Sequence, residues 1–216
     1  MAEGFKKINE AAMKAVATGN YGEAAAIFTE GLALEEKLGL TKQIAESHAN
    51  IGNVHFSAGE YDEALSHLIK AFDLFRKASN TVGAVSVSLT IAAVMEIKGD
   101  DAGAQKQLET ALRMSRTGEQ RGMAFYRIGG FNMRNGNHYK AQEAFNRAIM
   151  ELERLNRQDD LLLCLLTRAS LFTQMDRHTL AARDVARANS IARSNDRLMK
   201  KFSAAVSELG LDNLLS

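Results

Sequence analysis

The segment Gly19-Asn20-Tyr21-Gly22-Glu23-Ala24, followed by Phe28, returns forty residues later as Gly59-Glu60-Tyr61-Asp62-Glu63-Ala64, followed by Leu68. A third copy reads Gly99-Asp100-Asp101-Ala102-Gly103-Ala104 with Leu108, and a fourth Gly136-Asn137-His138-Tyr139-Lys140-Ala141 with Phe145. The last and weakest is Asp176-Arg177-His178-Thr179-Leu180-Ala181 with Val185, so successive copies are spaced by 40, 40, 37 and 40 residues. A fixed period of this size restricts the chain to an array of stacked units, because one such unit cannot bury its own apolar face.

Each copy has a physical logic. The glycine ends one helix in a left-handed conformation, and the residues after it start another. The alanine of the second helix lets a neighbour approach closely, and the large residue four positions on lies over the same face. Upstream of each turn runs another amphipathic helix with small residues at the crossing point: Ala11-Ala12-Met13, Ile51-Gly52-Asn53, Ile91-Ala92-Ala93 and Ile128-Gly129-Gly130. The unit is helix, tight turn, helix.

Composition agrees with an all-α class. Proline and tryptophan are absent, and 46% of the 216 residues are apolar, enough to bury a substantial core. First helices are predicted near 4–17, 43–58, 82–98, 120–135 and 160–175, and second helices near 21–38, 61–78, 101–115, 138–156 and 178–194. The array thus covers 1–194, in repeats of about 4–40, 43–80, 82–117, 119–157 and 159–194. Residues 195–216 form a capping helix, Asp196 to Leu209, and a tail from Gly210 that either frays or docks.

The repeated residues resemble the tetratricopeptide repeat, from about Phe5 to Arg193. The ordinary repeat is 34 residues long and closes with proline. A period near forty without proline is similar to the longer-helix subclass of the Pins and kinesin light chain type, and Ala49 to Phe56 carries that likeness most clearly. The resemblance implies a right-handed superhelical α-α solenoid of about five helix pairs, whose first helices line a concave groove for a peptide or helix of a client protein.

Groove positions expected from this arrangement are Asn9, Asn50, Asn53, Phe56, Leu89, Tyr126, Arg127, Met133, Arg134, Ser170 and Gln174. Asparagine amides both donate to and accept from a peptide backbone, and in the subclass they hold the ligand. Arg127 and Arg134, seven apart, share a helical face suited to clamping carboxylates of a partner or to pairing with Glu96. The apolar residues Leu89, Tyr126, Met133 and Leu166 suit a ligand with hydrophobic anchors. Of the set that chaperone-binding members use on a C-terminal carboxylate, Asn53 and Arg127 fit, whereas Ala49, Thr90 and Met123 stand at the other positions.

Other chemistry has little support in the sequence. His48 and His55 lie seven apart and not at the i, i+4 spacing of helical metal ligands. They read as packing residues, with His67 on an outer face and His138 and His178 in place of the repeat tyrosine. No nucleophile motif or carboxylate pair stands out, so no catalytic residue, metal or cofactor is expected, and the arginines lack the interleaved aromatics that stack nucleic-acid bases. Cys164 is the single cysteine, in an apolar run, which favours a reducing, cytoplasmic setting. No apolar stretch approaches the roughly 18 residues of a membrane helix. Residues 1–111 carry about −5 and residues 112–216 about +6, so a second expectation is head-to-tail assembly into a homo-oligomer, acidic half against basic half.

Overall fold

Turn chemistry sets the architecture. At the end of α3 (Thr41–Ala58), Gly59 adopts φ 81°. Its N–H bonds back to the Phe56 carbonyl at 3.1 Å, and that of Glu60 bonds to the His55 carbonyl at 2.9 Å. These two bonds close a helix whose last carbonyls lack partners, and two residues later α4 (Tyr61–Lys77) begins. The same exchange joins α1 (Ala2–Ala17) to α2 (Tyr21–Lys37), α5 (Thr81–Ile97) to α6 (Asp101–Met114), α7 (Gly118–Arg134) to α8 (His138–Arg154) and α9 (Gln158–Gln174) to α10 (His178–Ala192). In the fifth pair Asp176 takes the left-handed position, φ 56°. Helix α11 (Asp196–Glu208) and a 3-10 turn, Asp212–Leu214, follow.

The computed structural model describes residues 2–214, with side chains from residue 6 onward. Among the described residues there is no strand, and no helix is long and apolar enough to cross a membrane. The chain is an all-α array of antiparallel helix pairs. It forms two compact units, Met1–Ser115 and Arg116–Ser216.

Within each unit, consecutive helices pack in sequence order. Every repeat alanine, Ala24, Ala64, Ala104, Ala141 and Ala181, is fully buried, as is each large residue four positions later. The facing first-helix position is always small: Ala12, Gly52, Ala92, Gly129 and Ala169 are all buried. A Cβ on Gly52 would come within 2.7 Å of Leu68 Cγ, and one on Gly129 within 2.6 Å of the Phe145 ring. The small residue is the dent into which the large one fits.

The junction between the third and fourth pairs differs. Helix α6 has 14 residues where α4 and α8 have 17. Ser115 is extended, and Thr117 starts α7 with a capping box in which its side chain accepts from the Gln120 amide at 3.2 Å. The spacing of 37 in the sequence is therefore a shortened α6.

In the second unit, Leu198, Phe202, Ala205 and Val206 of α11 enter the core built by α8, α9 and α10. Leu211 is buried with them. The sequence left the tail either frayed or docked, and through Leu211 and Leu214 it docks, the 3-10 turn packing on α10. Leu215 lies outside the described residues.

Candidate peptide-binding faces

In the first unit, Asn50, Asn53 and Phe56 follow at three-residue steps along α3 and so share a face. Asn53 is exposed and Asn50 half-buried. Neither side-chain amide bonds to another described residue, so both keep donors and acceptors for a ligand. Phe56 is half-buried against the core, its ring centroid 6.2 Å from that of Tyr61. Asn9 is exposed on α1. Leu89, expected as an apolar anchor, is only 5% exposed, and Leu166 is fully covered. Both belong to packed cores and have little surface to offer.

The second unit brings together a larger set. On α7, Tyr126 and Arg127 are half-buried, Met133 packs against the core and Arg134 is exposed. Helix α9 packs alongside and contributes Thr167, Ser170 and Gln174. The Thr167 hydroxyl donates to the Leu163 carbonyl at 2.8 Å, so the 3.2 Å contact with Tyr126 has the phenol as donor. Tyr126 is thereby fixed between α7 and α9, its ring 6.0 Å from Phe145.

Arg127 is the least satisfied of these groups. Its guanidinium makes no hydrogen bond or ion pair with any described residue. Burial pushes its pKa down, against the opposing influence of Tyr126, and Arg134 shifts down for the same reason of burial. A guanidinium stays charged in such a setting, so Arg127 is a partly desolvated cation lacking an anion.

Several other cations of this unit are engaged. Arg121 and Arg154 share Glu151, whose carboxyl they hold below its ordinary range. Arg157 pairs with Asp160 and Glu119, and Arg197 and Lys201 meet on Asp159. Arg168 grips Asp184 through Nε and Nη2, both at 2.7 Å.

Three features escaped sequence reasoning. His67 is not on an outer face: it lies against His48, with Nδ1 atoms 3.0 Å apart. The Arg168–Asp184 pair joins α9 to α10, and Glu35 is buried with Oε2 unpartnered, its pKa raised by that burial. His48 and His67 are nineteen apart, and one forty-residue period later Ser88 bonds Gln107 across the same interval. Among the described residues, no three His, Cys, Asp or Glu side chains converge to hold a metal ion.

A family model for the tetratricopeptide repeat covers part of the chain. Residues 43–117 match the tetratricopeptide repeat. No curated protein matches the chain in sequence. Solved structures do, at low identity. A Rap protein complexed with Competence and Sporulation Factor superposes with a TM-score of 0.76 at 16% identity, over 94% of this chain and 63% of that one. A Podosopora anserina kinesin light chain with nearly identical TPR-like repeats gives 0.67 at 15%, over 88% and 96%. NprR in complex with its cognate peptide NprX gives 0.68 at 12%, over 91% and 58%. The chain thus spans under two thirds of the Rap and NprR proteins, and these likenesses establish the repeat-array fold.

Proposed function

We propose that this chain is an interaction scaffold that holds a peptide or helix of a client protein, with no catalytic step of its own. The observation that carries the reading is Arg127, a half-buried cation that makes no ion pair with any described residue. Such a group is costly to keep unless a ligand supplies the anion, so the preferred client segment is acidic. Arg134, Tyr126, Met133, Ser170 and Gln174 complete this face on α7 and α9, and Asn50, Asn53, Phe56 and Asn9 offer contacts on the first unit. NprR, of the same fold, takes a peptide. Repeat spacings near forty and the likeness to the kinesin light chain array support the longer-helix subclass. A buried free thiol at Cys164 suits a reducing, cytoplasmic setting.

An array of immobilised 15-residue peptides of graded charge tests this. Wild-type protein should retain acidic peptides, and Arg127→Ala should weaken them about tenfold or more, as loss of one partner of a desolvated charge pair does. Equal binding of peptides of every charge, or unaltered affinity in Arg127→Ala, would remove the basis for this face.

A further inference from the structure

Three of the five histidines meet where α3 packs on α4. His48 is 7% exposed, and its ring centroid lies 5.1 Å from that of His67. The His55 ring is 5.8 Å from His67, and its Nδ1 reaches Glu60 Oε2 at 2.5 Å. Two imidazole nitrogens 3.0 Å apart share one proton: one donates its N–H while the other accepts with a bare lone pair. With both rings protonated, two N–H groups and two positive charges would face each other across that gap.

The surroundings give little relief. Lys70, on α4, adds positive charge near His48 and His67. Glu36 of α2 acts favourably on His48 alone, and Glu60 is taken by His55. Helix α5, packed on both α3 and α4, has one ionisable residue, Glu96, near its C-terminal end.

We propose that the His48–His67 contact, with the His55 ring beside it, is a proton-released clasp between α3 and α4, closed while the pair holds one shared proton and loosened when both of its rings are charged. It stands on this helix pair and is independent of the peptide-binding reading. Burial pulls the pKa of His67 down to about 4, helped by His48, His55 and Lys70, and lowers that of His48. Both therefore lie below the value of about 6.5 for a histidine in the unfolded chain. The opened chain binds protons first, so the clasp's stability is complete above about pH 6.5 and is lost as pH falls toward about 4.

Proton NMR of the full chain reads the clasp directly. The His67 ring should titrate below pH 5, and a His67 midpoint at or above 6.5 would overturn the proposal. Urea unfolding at pH 7 and pH 5 gives a second reading. The unfolding constant of wild type should rise about tenfold more over that interval than that of His67→Gln. A His67→Gln protein that keeps the full wild-type pH dependence would equally refute it.

Discussion

At Gly129 the backbone of α7 is as close to Phe145 as a glycine allows. A methyl group there would sit 2.6 Å from the ring, and Phe145 is itself fully buried with nowhere to move. Gly129→Ala should therefore cost about 1–3 kcal/mol, the usual penalty of overpacking, read as a lowered urea midpoint. Gly59 separates a different cause. A Cβ there meets nothing within 4 Å, yet φ is 81°, so Gly59→Ala should cost about 1 kcal/mol through backbone strain alone. The converse holds at Asp176, left-handed without being glycine: Asp176→Gly should raise the thermal midpoint.

Between elements, the strongest polar tie is Arg168 of α9, which holds Asp184 of α10 at two points and reaches Asn146 Oδ1 of α8 at 2.5 Å. Asp184 is 4% exposed, so Asp184→Ala leaves a guanidinium among covered groups and should cost about 3 kcal/mol in chemical denaturation. Helices were legible in the sequence because the repeat marks the turn inside each pair twice, once by its left-handed residue and once by the alanine that follows. Small-against-large contacts such as Gly52 on Leu68 were legible for the same reason. Ties like Arg168–Asp184 and His48–His67 were not, because local spacing says nothing about which residues face each other until the register of two helices is fixed. The peptide-facing residues were read from helix position alone, which cannot tell a surface leucine from one under a neighbouring helix. Leu89 and Leu166 fell on the covered side.

Over the whole chain, each unit has its own core: Ala12 to Val94 supply those of the first, and Ala141 to Leu211 that of the second. Charge divides in the same way, about −4 over residues 1–115 and +5 over 116–216. Because many cations of the second unit are already paired with its own carboxylates, a scaffold awaiting a client should sediment as a monomer at low and high salt over a tenfold concentration range. Salt-sensitive association would instead favour copies joined acidic half to basic half. The lone thiol gives the second unit a built-in stopwatch. Cys164 is fully covered, its Sγ turned to the Phe145 carbonyl at 3.9 Å, and its pKa is driven far up by burial. A thiol reagent can reach it only when α8 and α9 part, so the rate of colour development with an aromatic disulfide counts openings of that core without any label being introduced.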